Sequence, residues 1–268
     1  MSSISAGGIG AIQASHIEKN QQALKDVFRK LASNLNINQA ADNAASLAIA
    51  ERFNSELRGV NQATLNANDG ISITQIADSG LQQIQEGQHR LRELAVQSAN
   101  GTLTDGDRQS IQAEATQIQE QISSIVSDTG YNDISLLTSN DKINLQTGPN
   151  AGDQTGIKLT DLSNALTNVD LSTQAGAESA MITLSADLST VSSARSEFGA
   201  AEAGISSTIT QLTGLSEALS ASGSQIRDAD IAQQSSALAS ASIRAHAGIA
   251  MQAQANNLSA ARVQQLVQ

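Results

Sequence analysis

The chain has 268 residues, with 15 Lys and Arg against 26 Asp and Glu, a formal net charge of −11, no cysteine and one proline. That balance, without a Lys/Arg cluster, excludes the basic stripe that nucleic acid requires, and the missing cysteine excludes a disulfide framework and thiolate chemistry. The aromatics are Phe28, Phe53, Phe198 and Tyr131, too few to anchor the thick core of an enzyme this long.

The first residues, MSSISAGGIGAIQASH, lack a basic segment followed by a long apolar one, so no cleaved secretory signal is expected. No apolar run of about 18 residues is present, so no membrane span is expected either. Cytoplasmic residence, or export that reads no cleaved signal, is what remains. Gly7-Gly8-Ile9-Gly10 is not a phosphate loop, because no strand precedes it and no Lys-Ser/Thr follows.

Helical periodicity begins near the N-terminus. Ile17, Leu24, Phe28, Leu31 and Leu35 fit one seam, with Gln21 in the remaining slot. The pattern weakens from Asn34 to Asn43, which predicts a connector. A second helix is expected from about Asp42 to Asn100, carrying Ile49, Phe53, Leu57, Val60, Ile73, Ile76, Ile84, Leu91 and Leu94. Gly59, Gly70, Gly80 and Gly87 interrupt it, each costing about 1 kcal/mol against Ala in an exposed helix. Such a helix is expected to be held by its neighbours. Asn100-Gly101 reads as its stop.

Thr104 and Asp107 read as a capping-box start for a third helix, with Ile111, Ala115, Ile118, Ile122 and Ile125 on one face. The short link requires the two helices to lie antiparallel. Asp128-Thr129-Gly130 ends the third helix. Ile143, Leu145 and Thr147, then Ile157, Leu159 and Asp161, alternate with polar residues around a turn-rich stretch holding Pro149, which predicts a β-hairpin over about 142–161.

From Leu184 to Leu219 a heptad seam runs through Leu188, Val191, Arg195, Phe198, Glu202, Ile205, Ile209, Leu212 and Ser216. Arg195 and Glu202 stand in seam slots. Either their stems cover the seam while their charges reach its edge, or they pair with a neighbouring helix and fix register. A Ser/Gly break is expected at Ser220 to Ser224.

The last helical segment has a poor seam. One row is Ile231, Leu238, Ala245, Gln252, Ser259 and Leu266; the other is Ser235, Ser242, Ile249, Asn256 and Val263. A seam half small or polar gains little from burial. Residues 1–35 and 230–268 are therefore expected to be mobile in a lone subunit and ordered only among neighbours. The Ser- and Thr-rich stretch from Leu162 to Thr190 reads as solvated surface.

No nucleophile, metal or acid–base constellation stands out, so no catalytic, cofactor-binding or metal-binding residues are expected. His16, His89 and His246 are isolated in sequence and carry no metal motif. A rod of long helices is better suited to building or binding than to catalysis.

Five stretches resemble bacterial flagellin: Asn66-Ala67-Asn68-Asp69-Gly70-Ile71-Ser72, Leu91 to Asn100, Ile111-Gln112-Ala113-Glu114, Ile226-Arg227-Asp228-Ala229-Asp230 and Ala253-Gln254-Ala255-Asn256. With the hairpin, the resemblance covers nearly the whole chain and looks like a minimal form without variable outer domains. It departs from the common pattern at Gly7-Gly8 and Gly10, at Gln233-Gln234 and at Leu266-Val267-Gln268. The nearest alternatives are a hook–filament junction protein and, in another class, a chemoreceptor-like helical signalling hairpin.

The resemblance implies a mainly α fold: a long antiparallel helical bundle or coiled-coil rod with one small β-hairpin, plus paired terminal helices. Residues 1–41 and 223–268 would be the paired terminal helices of an inner tube, and 42–222 the rod. It implies a homopolymer, the extracellular filament of the flagellum, whose subunits leave unfolded through the flagellar type III apparatus. The terminal assembly seam would then comprise Ile17, Leu24, Phe28, Leu31, Leu35, Ile231, Leu238, Ile249, Val263 and Leu266. Implied partners are an export chaperone on the C-terminal helix, hook-associated proteins and cap proteins. Arg90, Leu94 and Glu114 fall on family positions that pack between rods and that contact the vertebrate innate receptor in flagellins it recognises. Neither a nucleic acid nor a membrane is implied.

Overall fold

The computed structural model describes residues 3–163, 166 and 168–267, leaving aside the side chains of 3–11, 259, 262, 263 and 265–267. Val263 and Leu266 of the expected seam thus lie outside the described residues. The fold is mainly α. In chain order come α1 (Ser3–Ser33), α2 (Ala44–Ser98), α3 (Asp105–Asp128), β1 (Gly130–Tyr131), β2 (Ile134–Ser135), β3 (Lys142–Gln146), β4 (Gln154–Lys158), α4 (Gln174–Arg227) and α5 (Ile231–Val267). Two compact units result, one of Met1–Ser55 with Ala218–Gln268, the other of Glu56–Glu217.

In the unit of Glu56–Glu217 the core joins α2, α3, α4 and the segments between them. Phe198 is the largest fully buried side chain, among Leu81, Ile84, Leu94, Ile157 and Ile205. The four α2 glycines mark the close approaches. An added Cβ would lie 2.9 Å from Pro149 Cβ at Gly59, 2.6 Å from Thr129 Oγ1 at Gly80 and 2.9 Å from Ile122 at Gly87, and at Gly70 it would overlap Leu145. A helix that propensity alone would leave weak is held by neighbours seated where side chains are missing.

The third helix starts as the spacing predicts. Asp107 N–H donates to Thr104 Oγ1 at 3.3 Å, and Thr104 N–H donates to the Asp107 carboxylate at 3.0 Å, closing the capping box. The hairpin also forms, β3 pairing antiparallel with β4 and Ile143 facing Ile157. A second hairpin, β1–β2, stands where the sequence reading has only the end of a helix, so the expectation of one hairpin is corrected to two. Asn132 and Asp133 take φ 48 and 64, the left-handed conformation that tight hairpin turns require and that Asn and Asp tolerate.

The Ser/Gly break at 220–224 does not appear: α4 runs unbroken to Arg227. One helical glycine costs about 1 kcal/mol, too little to stop a helix whose Leu219 is still buried. The Ser and Thr side chains described in 162–190 are exposed or half-buried, as the solvated reading has it, while Leu162, Val169, Leu171, Ala177, Ala180 and Leu184 between them are buried. Val169 and Leu171 are strapped down by side chains: Gln119 Nε2 donates to Val169 O at 3.2 Å, and Ser98 Oγ to Leu171 O at 2.6 Å. The Leu171 N–H donates to Gln112 Oε1.

The α4 seam is asymmetric. Leu184, Val191, Phe198, Ile205, Leu212 and Leu219 are buried, while Leu188, Arg195, Glu202, Ile209 and Ser216 are half-buried. In the first half of α4 the second buried row is Ala180, Asp187 and Ala194, one residue before the expected one. Segments beyond the helices cover that side, turning the helix off a pure two-row contact.

In the unit of Met1–Ser55 with Ala218–Gln268, α1 and α5 pack antiparallel. Among the described residues no other helix pair brings its backbones so close. Small residues permit this: the side of α5 turned inward holds Leu238, Ala241, Ala245 and Gly248, and a Cβ on Gly248 would meet Ile17 Cγ1 at 3.3 Å. The helices are joined at one end by hydrogen bonds from Asn36 N–H to Arg227 O at 2.7 Å and from Ala229 N–H to Asn34 O at 3.1 Å. The connector is a built turn. The Asp42 carboxylate accepts the Asn38 and Gln39 N–H groups at 3.0 Å each, and Asn43 Oδ1 caps α2 by accepting Ser46 N–H at 3.1 Å.

Candidate assembly surfaces

On α1 the half-buried row is Gln13, Ile17, Asn20, Leu24, Val27 and Leu31, with Leu35 half-buried beyond the helix end. Ile17, Leu24, Leu31 and Leu35 therefore face the pair, as does Leu238 on α5. Phe28 does not: it is 57% exposed. Ile231 and Ile249 are 58% and 52% exposed. The second α5 row is centred on Ala241 and Gly248, with Ser242 half-buried at its edge and Ile249 outside it. The physical reason is close approach, which selects the row with the smaller side chains and leaves the larger apolar ones outside. Ile12, Ile243, Met251 and Leu258 are also exposed. This unit thus sets Ala241, Ala245 and Gly248 of α5 against Ile17, Leu24 and Leu31 of α1 and leaves further Ile, Phe, Met and Leu side chains facing outward, more exposed apolar surface than an isolated soluble helix pair carries.

The rod surface carries a second feature. Arg90 on α2 donates through Nε and one terminal nitrogen to Glu114 Oε1 on α3, at 3.1 and 2.7 Å, and through the other to Glu93 at 2.9 Å. The Glu114 hydrogen bond, then that of Glu93, raises the Arg90 pKa above its ordinary value. Arg90 and Glu114 are about half exposed. Leu94, grouped with them by sequence, is 1% exposed and belongs to the core. It supports the surface from beneath and is not part of it.

Sequence motifs acquire roles here. Asn66 Nδ2 donates to Gln146 O at 2.9 Å and ties the hairpin to α2, while Gly70 admits Leu145. Asp228 bridges Leu35, and Asp230 Oδ1 caps α5 by accepting Ala232 and Gln233 N–H at 2.9 and 3.1 Å. Arg195 and Glu202 take the pairing role: Arg195 binds Asp78 and Gln85 of α2, and Glu202 accepts from Gln75 at 3.0 Å. Sequence reasoning missed Arg108, whose buried guanidinium donates to the carbonyls of Ser98, Asn100 and Leu103 at 3.0, 3.0 and 2.9 Å. It caps the C-terminal end of α2, where the helix dipole favours a cation. Nothing in its spacing signals this.

No helix among the described residues is long and apolar enough to cross a membrane, and no group of three or more His, Cys, Asp or Glu among them is placed to hold a metal ion. Long helices, two of them paired with apolar side chains turned outward, are the build of a helical structural protein. Residues 4–142 match the bacterial flagellin N-terminal helical region, and 181–267 the bacterial flagellin C-terminal helical region. Flagellin of Halalkalibacterium halodurans is 37% identical over 90% of this chain and 89% of its own length. Flagellin of Salmonella muenchen is 39% identical over 62% of this chain, which spans only 33% of that protein. The crystal structure of Bacillus cereus flagellin matches at a TM-score of 0.52 with 26% identity, over 55% of this chain and 88% of that one. The chain belongs to the bacterial flagellin family, the filament subunits of bacterial flagella, and has the minimal form without variable domains. It is a structural, non-enzymatic protein of the extracellular filament that drives motility.

Proposed function

We propose that the outward apolar faces of α1 and α5 are the surfaces that neighbouring subunits cover in the filament. On this reading residues 1–41 and 223–268 form the inner tube and 42–222 the surrounding rod. The observation that carries it is the placement of Phe28, Ile231 and Ile249 in solvent while the paired row holds Ala241, Ala245 and Gly248. Each exposed side chain gains about 1.5–3 kcal/mol on full burial, and the unburied area of a lone subunit becomes the driving force of a non-closing contact. Ile17, Leu24, Leu31, Leu35 and Leu238 serve the same seam from within the pair. The experiment is growth from filament seeds with Phe28→Ser, Ile249→Ser and their double variant. Elongation is expected to fall in the order wild type, single, double, while unfolding of the rod is unchanged; normal elongation by the double variant overturns the reading.

The export chaperone belongs on α5, whose exposed Ile243, Met251 and Leu258 need covering before assembly, and the hook-associated and cap proteins meet the same terminal helices. Export through the flagellar type III apparatus completes this reading. The exposed Arg90–Glu114 pair favours a second role for the rod surface: lateral contact between rods in the filament, and contact with the vertebrate innate receptor by free monomer. Monomer that leaves receptor-bearing reporter cells silent overturns the receptor part alone.

A further inference from the structure

The turn between α2 and α3 holds Asn100-Gly101, the only Asn-Gly pair in the sequence, and both residues are exposed. The Asn100 side chain is folded forward along the chain, Oδ1 accepting the Thr102 N–H at 3.1 Å. That arrangement lays the carboxamide over the peptide that follows. The main-chain carbonyl of Asn100 accepts from the Arg108 guanidinium at 3.0 Å and from the Leu103 N–H at 3.2 Å. A Cβ on Gly101 would meet only Gln174 Oε1, at 3.9 Å, so the turn has open space on that side and Gly101→Ala fits without a clash.

We propose that this turn is a self-modifying site, at which Asn100 converts to aspartate and isoaspartate through a cyclic imide. The Gly101 nitrogen attacks Asn100 Cγ. The new C–N bond forms, the Cγ–Nδ2 bond breaks, and ammonia leaves with the proton that the Gly101 amide gives up. Water then opens the ring. Addition at Cγ returns the normal backbone with an aspartate; addition at the main-chain carbonyl leaves the chain running through Cγ as isoaspartate. The sum is amide plus water to carboxylic acid plus ammonia, with no redox partner.

Three features drive it. The attacking nitrogen is nucleophilic only once its proton is lost, and the resulting charge lies largely on the Asn100 carbonyl oxygen. That oxygen already receives a charge-assisted bond from Arg108 and a second from Leu103, donors placed where charge develops. The Thr102 N–H polarises the carbonyl under attack. The forward fold of the side chain replaces a search among rotamers with a held approach. An unfolded chain holds none of these groups in place. The usual protection that folding gives an Asn-Gly pair is therefore inverted at this turn.

The test follows Asn100 in the full-length monomer at mildly alkaline pH, folded and in concentrated urea. Peptide mapping by mass and enzymatic methyl labelling of isoaspartate give the readout, with Asn150-Ala151 as internal control. Conversion of Asn100 is expected several-fold faster in the folded chain, and Gly101→Ala is expected to remove most of it. Arg108→Lys, with its fold checked by circular dichroism, is expected to bring the folded rate toward the unfolded one. Slower conversion in the folded chain than in urea overturns the proposal, as does an undiminished rate in folded Arg108→Lys. If Arg108→Lys does not fold, the folded-to-urea ratio of the unaltered chain decides alone.

Discussion

Arg195 on α4 and Asp78 on α2 face each other in a two-point ion pair, Nε to Oδ1 at 2.8 Å and a terminal nitrogen to Oδ2 at 3.2 Å. Gln85 takes the remaining terminal nitrogen at 2.8 Å. The Asp78 hydrogen bond raises the Arg195 pKa. Because both partners stay about a third or more exposed, water screens the pair, and its worth is that of a well-shaped surface bridge. A double-mutant cycle of Arg195→Met and Asp78→Asn by urea unfolding is expected to return a coupling of about 0.5–1 kcal/mol. A coupling of zero would mean the pair does not hold register between the helices.

Arg108 is a different case, since its guanidinium is buried against three carbonyls at the end of α2. Arg108→Ala takes the guanidinium donor from all three carbonyls, of which Asn100 O keeps the Leu103 N–H, and is expected to lower rod stability by about 2–4 kcal/mol. Arg108→Lys, a point charge in place of a planar fork, should recover only part of that. Urea midpoints of the two variants check the order.

The glycines of the two long helices are expected to respond oppositely to Ala. At Gly87 a methyl would press on Ile122 from 2.9 Å, and overpacking costs about 1–3 kcal/mol. At Gly204 nothing lies within 4 Å of the added Cβ, so Gly204→Ala should stabilise by about 0.5–1 kcal/mol through helix propensity. Paired thermal melts decide both.

Hydrogen bonds from the Thr104 hydroxyl, then from its backbone N–H, hold the Asp107 pKa below its ordinary 3.8. The folded value is the lower one, so the ionised cap's stabilisation is fully present above the ordinary value. It is lost as pH falls through the lowered value. Protection of the first-turn amides of α3, taken relative to their intrinsic exchange at each pH, should fall over that acid window, and Asp107→Asn should flatten the dependence. An unchanged acid profile in the variant would show that the box does not govern the helix start.

Where a signal is carried by spacing and strong contrasts, the sequence is readable. The Leu184-to-Leu219 row, the Thr104–Asp107 cap and the Ile143–Ile157 hairpin depend on local periodicity and local bonds, and they appear at the expected places. The face of α5 is only partly readable this way. Its contrasts are between Ala, Ser, Gly and Ile, so hydropathy finds the row of Leu238, Ala245 and Gln252 but sets the second row one residue late, at Ile249 in place of Gly248. The loops are hard for another reason. Leu136, Leu137, Leu162 and Leu171 are buried by tertiary contacts in segments without period, and the β1–β2 turn is too short to show alternation. Of the candidate surface residues, Arg90 and Glu114 meet because α2 and α3 are antiparallel neighbours; that Leu94 points inward follows from the packing of the assembled helices.

The clasp between Asn34, Asn36, Arg227 and Ala229 is set at one end of the α1–α5 pair. Along the rest of the pair the α5 side of the contact is mostly Ala241, Ala245 and Gly248, whose ridges are shallow, set against Ile17, Leu24 and Leu31 of α1. Such a surface resists pulling apart far more than it resists lengthwise slip. Alignment of the two helices is therefore decided at the fastened end and transmitted outward, much as a zip takes its registration from its first tooth. Lengthening that clasp by a single residue would shift every rung beyond it.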